Sequence, residues 1–268
     1  MSRIIAALSF FTRIPFWRLK ALTKQDYERV VPLWPMTGWL TATVMTFTFW
    51  VASLCLPVSV ALILAIAARL LVTGALHEDG FADFFDGFGG GSCRESTLRI
   101  MKDSHIGTYG VVALILYFLL LFAVLQSYFT SIIQLQPTNC FGLEQPSVFH
   151  NFYCSLIFFA ADPFAKWASS NIINVLPYAR KEEEAKNKLV YNKMTLAEKI
   201  LGLLIGALPA FIIFSWQIIF PMLAASLAAA LVIFLCYKKL HAYTGDCCGA
   251  CFIISELSFY IVALAVMV

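Results

Sequence analysis

Apolar residues gather along this chain into seven long runs separated by polar stretches, at residues 35–56, 58–76, 110–134, 151–176, 198–216, 220–237 and 249–268. An α-helix needs roughly 20 such residues to cross a hydrocarbon core about 30 Å thick. Lipid offers no partners to backbone N–H and C=O groups, so runs of this kind become helices that satisfy their own hydrogen bonds. Pro57 and Pro221 mark the two tightest turns, where a residue without an N–H ends one helix and begins the next. The pattern predicts an all-α fold, a polytopic integral membrane helical bundle with about seven transmembrane helices. Residues 1–34 hold a shorter apolar patch, interrupted by Arg13 and Pro15 and lacking a small-residue cleavage pattern. That patch reads as an N-terminal interfacial helix rather than a cleaved secretory signal. No internal repeat or low-complexity linker divides the chain, so residues 1–268 are expected to form a single integral membrane catalytic domain.

The polar stretches orient the bundle. Counting reversals from the N-terminus, one side receives residues 1–34, 77–109, 177–197 and 238–248, and these segments hold 16 of the 19 Lys and Arg residues. The 135–150 stretch on the opposite side holds none. By the positive-inside rule the basic side is cytoplasmic, which predicts a bacterial-type cytoplasmic (inner) membrane protein with its N-terminus inside. Composition agrees. The chain is 60% apolar and 13% charged, with a mean hydropathy of +0.80, against about 45–50% and about 25% in soluble domains. A water-soluble enzyme is excluded, the lipid bilayer becomes the first partner, and no nucleic acid is expected. The net charge of +3 adds little, and oligomeric state stays open. Of the eight cysteines, Cys247, Cys248 and Cys251 cluster, either as a metal or redox site or as small residues opening a membrane helix.

Chemistry concentrates between the second and third runs. His77-Glu78-Asp79-Gly80-Phe81-Ala82-Asp83-Phe84-Phe85-Asp86-Gly87 places three aspartates at i, i+4 and i+7. On a helix at about 100° per residue, all three project from one face within about 60°. Like charges at that spacing repel, so helix stability gives no reason for the pattern, whereas a divalent cation would reverse the sign. Clustered hard oxygens suit Mg²⁺, which keeps several waters and is completed by substrate phosphates. Arg94, Arg99 and Lys102 follow, running into Asp103-Ser104-His105 and a Gly107-x-x-Gly110 turn. They either anchor a helix among lipid headgroups or neutralise a phosphorylated substrate. The Arg180-Lys181-Glu182-Glu183-Glu184 run reads equally as a solvated charge patch. Asp103 and Asp246 add oxygens on the same side. Arg69 and Lys166 stand inside apolar runs, where an unpaired charge is costly, with Glu256 and Asp162 as candidate partners.

Taken together these segments resemble the adenosylcobinamide-GDP ribazoletransferase, or cobalamin synthase, family over nearly the whole chain. The likeness is carried by Ser9-Phe10-Phe11-Thr12-Arg13-Ile14-Pro15, Pro35-x-x-Gly38, Gly74-x-x-His77-x-Asp79-Gly80-x-x-Asp83-x-x-Asp86-Gly87, Ile100–Gly110, Tyr178-Ala179-Arg180 and Thr244-Gly245-Asp246-x-x-Gly249-Ala250. The chain departs from the family at Glu78, usually apolar, at His105, usually Arg, and at Tyr243 and Ile253, usually Gln and Glu. It also has Ala165-Lys166 for the usual Ser-Arg, so Lys166 lacks the bidentate fork. The resemblance implies a Mg²⁺-dependent transfer. A ribose hydroxyl of α-ribazole, or of its 5′-phosphate, attacks the cobinamide-linked phosphoryl group of adenosylcobinamide-GDP and expels GMP. Small-molecule partners are thus a corrinoid nucleotide and α-ribazole. Asp79, Asp83 and Asp86 would hold one or two metal ions, with Asp86, Asp83 and His77 as catalytic residues and Asp86 as the proton acceptor. Arg13, Arg94, Arg99, Lys102, Asp103, Lys166, Arg180 and Asp246 would bind substrate.

Two rivals have distinct signatures. A CDP-alcohol phosphotransferase acting on lipids also uses clustered aspartates. Its usual pattern has an Ala-Arg pair after the first Asp-Gly and a third aspartate four residues on, whereas here the spacing is three. A divalent-cation transporter would place its acids near the bilayer midplane within inverted repeats, which this chain does not show.

Overall fold

A computed structural model of the chain describes residues 1–134, 148–179 and 190–267. The helices α1 (Ser2–Phe11), α2 (Lys24–Glu28), α3 (Trp34–Ala52), α4 (Val58–Thr73), α5 (Leu76–Gly90), α6 (Arg94–Ile100) and α7 (Thr108–Gln134) occupy the first stretch. They are followed by α8 (Val148–Ser155), α9 (Ile157–Ser170), α10 (Ile172–Val175), α11 (Leu196–Ile213), α12 (Ile219–Leu240) and α13 (Gly245–Met267). The fold is an all-α bundle of polytopic membrane type, and strand pairing among the described residues is limited to an isolated bridge between Tyr178 and Tyr243. The charge run at 180–189 and most of the 135–150 stretch lie outside the described residues.

Among the described residues four helices, α7, α11, α12 and α13, are long and apolar enough to cross a bilayer, or five if the bent pair α4–α5 counts as one span. The structure therefore does not confirm seven. The run at 151–176 is interrupted at Leu156 and Asn171 and carries Pro163 inside α9, so it resolves as three shorter helices. The run at 35–56 forms the 19-residue α3, whose threonines lower its apolarity. Those threonines have internal work: Thr41 Oγ1 donates to the Asp162 carboxylate at 2.8 Å and accepts from Lys166 Nζ at 2.9 Å.

The run at 58–76 ends at Thr73, where the chain turns by 88° into α5. Gly74 (φ +66°) and Ala75 (φ +55°) both adopt left-handed backbone, a conformation rare for residues with a Cβ. The bend is held from outside by Arg13, whose backbone N–H donates to the Val72 carbonyl at 2.7 Å, one of the orphan acceptors at the end of α4. The Arg13 side chain lies over Gly74, leaving no space for a Cβ there.

The interior is organised around α13, which packs against α5, α7, α9 and α12. It carries charge as well as apolar bulk. Arg69 Nη1 donates to both Glu256 oxygens at 2.7 Å, and Nη2 donates to Tyr117 Oη at 2.6 Å and Glu78 Oε1 at 3.5 Å. Lys166 pairs with Asp162 at 2.5 Å and lies 5.1 Å from the Phe252 ring centroid. All five charged side chains are buried. The sequence expectation that Arg69 and Lys166 find Glu256 and Asp162 is met, with Glu78 joining the first pair.

Candidate active site

The N-terminal half of α5 packs against the start of α13. The approach is backbone to backbone. A Cβ on Gly80 would stand 3.0 Å from the Asp246 Cα, and one on Gly249 would stand 2.9 Å from the His77 carbonyl oxygen. No larger residue fits either position without separating the helices. The result is a cavity of about 160 Å³. Its acidic side comes from Asp79 on α5 and Asp246 on α13. Its aromatic lining comes from Phe10 and Phe11 of α1, Trp34 of α3, Tyr178 and Tyr191, and His77 also lines it.

The aromatic side is internally ordered. Phe11 stacks on Trp34 with ring planes 8° apart and centroids 5.3 Å apart, Phe10 meets Tyr191 edge-on at 5.9 Å, and His77 packs between Trp34 and Phe252 at 5.4 and 4.8 Å. Tyr178 is held by the bridge to Tyr243, whose N–H donates to the Pro177 carbonyl at 2.9 Å while its own carbonyl accepts from Ala179 at 2.8 Å. Trp34 Nε1 and His77 Nε2 are both buried without a protein hydrogen-bond partner.

Asp86 has a different neighbourhood. Its carboxylate oxygens accept from the backbone N–H groups of Gly107 at 2.7 Å and Gly110 at 2.8 Å. Asp86 thus caps the N-terminus of α7 from another helix, satisfying donors that have no partner within α7 and favourably placing negative charge at that end. Both glycines are needed for the approach, because a Cβ at Gly107 or Gly110 would lie 2.5 Å from an Asp86 oxygen. The Gly107-x-x-Gly110 spacing is therefore the complement of Asp86.

The match to a family model described as cobalamin-5-phosphate synthase runs over residues 3–264. The chain belongs to that family. Curated relatives agree. An adenosylcobinamide-GDP ribazoletransferase of Shewanella frigidimarina is 31% identical over 278 residues, covering 99% of this chain and 95% of the relative. Enzymes of the same description from Shewanella baltica (30% identical, 98% and 93% covered) and Leptospira interrogans (29% identical, 97% and 94% covered) match similarly. No solved structure matches.

The fold sorts the residues expected from this family's pattern. It brings His77, Asp79 and Asp246 to one cavity. Asp83, half-buried, lies one turn along α5 from Asp79, and Asp86 is engaged with α7. Arg94 donates to the Leu240 carbonyl at 2.9 Å and the Ala179 carbonyl at 3.3 Å, tying α6 to the end of α12 and to the Tyr178 segment. Arg99 and Lys102 are exposed and do not line the cavity. Asp103 is exposed, and the His105 backbone N–H and then its ring hold the Asp103 carboxyl below the usual carboxylate range. Lys166 lies in the interior, paired with Asp162, and Arg180 lies outside the described residues. Cys247, Cys248 and Cys251 open α13, with Cys248 lining the cavity.

Among the described residues no three His, Cys, Asp or Glu side chains gather as an ion cage of their own. Asp79 and Asp246 on one cavity, with Asp83 adjacent, are nevertheless the hard-oxygen set that suits an ion completed by water and substrate phosphates. The aromatic side escaped the reading of chemistry-bearing residues, although Phe10, Phe11 and Tyr178 lie within segments that carried the family resemblance.

Proposed function

We propose that this chain, a transferase enzyme of cobalamin synthesis by family, joins adenosylcobinamide-GDP to α-ribazole or its 5′-phosphate with release of GMP. The observation that carries the reading is the convergence of Asp79 and Asp246 on one cavity, in a chain whose curated relatives bear that activity's name. In the transfer a ribose hydroxyl oxygen, one that is free in both α-ribazole and its 5′-phosphate, bonds to the cobinamide-linked phosphorus as the bond from that phosphorus to the GMP oxygen breaks. The hydroxyl proton passes to a carboxylate. Asp79 and Asp246 line the cavity and fit this role better than Asp86, whose oxygens both hold N–H groups of α7.

Asp79 and Asp83, with Asp246 opposite, would hold Mg²⁺, which when bound neutralises charge on the bridging phosphates. Arg94 and Lys239 stand at the same end of the bundle, Lys239 Nζ donating to the Phe88 carbonyl at 2.5 Å, and they give that end its positive field. With the basic residues gathered at this end, the site faces the cytoplasm by the positive-inside rule, and the bilayer surrounds α7, α11 and α12.

Asp79→Asn and Asp246→Asn each keep shape and remove charge. Either should lower GMP release from adenosylcobinamide-GDP about a hundredfold or more, with an unchanged thermal unfolding midpoint in detergent. An Asp79→Asn enzyme of wild-type rate removes the assignment.

A further inference from the structure

We infer that the aromatic side of the cavity, Phe10, Phe11, Trp34, Tyr178 and Tyr191, is the subsite for the base of the attacking nucleoside, and not for guanine or the corrin ring. The inference rests on the transfer proposed above and specifies how one substrate is recognised. Size decides against the corrin. A cavity of about 160 Å³ is close to the ~150 Å³ of a protein cavity that takes benzene, so it suits a small flat ring system. A corrin macrocycle has to stay outside.

Hydrogen-bonding capacity decides between the two remaining bases. Guanine carries N–H and NH₂ donors and a carbonyl acceptor along one edge, and burying them unpaired is costly. The ribazole base is a fused bicyclic aromatic whose free ring nitrogen is an acceptor and which carries no donor. Of the five aromatic residues, Phe10 and Phe11 offer no hydrogen-bonding atom and Tyr178 and Tyr191 one hydroxyl each, while Trp34 carries an indole N–H with no protein acceptor, a donor of the kind the free ring nitrogen accepts. Such a wall binds through stacking, which every aromatic face supplies. Asp79 of α5 and Asp246 of α13 line the same cavity, so a base held by the aromatic residues keeps its ribose in the space those carboxylates share.

The test measures GMP release in detergent, varying each substrate with the other saturating. Tyr191→Leu and Phe10→Leu should each raise KM for α-ribazole about tenfold, the loss of one stacking contact. KM for adenosylcobinamide-GDP should stay within about twofold. Tyr191→Phe, which keeps the ring, should recover most of the Tyr191→Leu loss. A rise in KM for adenosylcobinamide-GDP alone would give the wall to guanine and overturn the inference, as would two unmoved KM values. Binding is read separately on the wild-type protein with α-ribazole in the absence of adenosylcobinamide-GDP, so that no transfer can occur, through quenching of tryptophan fluorescence. Saturable quenching, weakened in Tyr191→Leu, supports the subsite, and its absence overturns it. If quenching is saturable but the wild-type protein releases no GMP, the subsite stands and the proposed transfer is what fails.

Discussion

Replacing Arg69 by Met tests the charged interior most directly. The side chains of Arg69, Glu256 and Glu78 are 2%, 0% and 5% exposed, and the shortest contacts are 2.7 Å. Removing the cation leaves two buried carboxylates without the partner they share and strips Tyr117 of its 2.6 Å partner. Breaking a buried pair in this way costs about 3–5 kcal/mol, because the remaining charge is uncompensated. At roughly 2–4 °C per kcal/mol for a chain of this size class, Arg69→Met should lower the unfolding midpoint in detergent by about 6–20 °C. The triple variant Arg69→Met, Glu78→Leu, Glu256→Met replaces the whole group with apolar side chains and should recover most of the loss, since the penalty belongs to unpaired charge. Tryptophan fluorescence during heating reads both. A single variant that melts with the wild type, or a triple variant that melts below the single, refutes the reasoning.

Two further outcomes follow from the helix contacts. Asp86→Ala removes an acceptor of two N–H groups at the start of α7 and should cost about 1.5–3 kcal/mol of stability in addition to any loss of rate; an unfolding midpoint equal to wild type would mean that Asp86 does not cap α7. Gly249→Ala places a Cβ 2.9 Å from the His77 carbonyl oxygen, so GMP release should fall as α13 and α5 part, and this overpacking should cost about 1–3 kcal/mol. Full activity in Gly249→Ala would show that the close approach of the two helices is not needed.

What was legible in the sequence is what simple energetics forces. Arg69 and Lys166 within apolar runs had to find acids, and Glu256 and Asp162 were the acids within reach of membrane-embedded helices; the structure pairs them so. The helix carrying Asp79, Asp83 and Asp86 at i, i+4 and i+7 was legible from periodicity. Their partners were not, because Asp86 meets glycines 21 and 24 residues away, across a turn whose geometry no periodicity encodes. Several of the seven apolar runs coincide with helices, while the chain's breaks are not legible in hydropathy. The run at 58–76 forms α4, and at its end two left-handed residues, Gly74 and Ala75, turn the chain by 88° into α5. The cavity wall was the least legible part, since Phe10, Trp34, Tyr178 and Tyr191 come from four separate segments that only the fold brings together.

That redirection explains how a membrane bundle presents an acidic site at all. Had α4 continued straight, the 15 residues of α5 would extend it by about 22 Å at 1.5 Å per residue, carrying Asp79, Asp83 and Asp86 away from the other helices. Turned across the bundle end, α5 instead meets the N-termini of two helices. Asp86 takes the amides of α7, and Gly80 lets Asp79 come beside the first turn of α13. The positive ends of both helix dipoles thus lie along the acidic face, offsetting the repulsion among carboxylates at i, i+4 and i+7. Arg69 reinforces the arrangement from beneath by joining α4, α5, α7 and α13 through Glu78, Tyr117 and Glu256. Arg69 five residues before Gly74, Glu78 beside Asp79 and Glu256 ten positions beyond Asp246 are therefore parts of one device. A change at any of them should reach the cavity without touching a substrate.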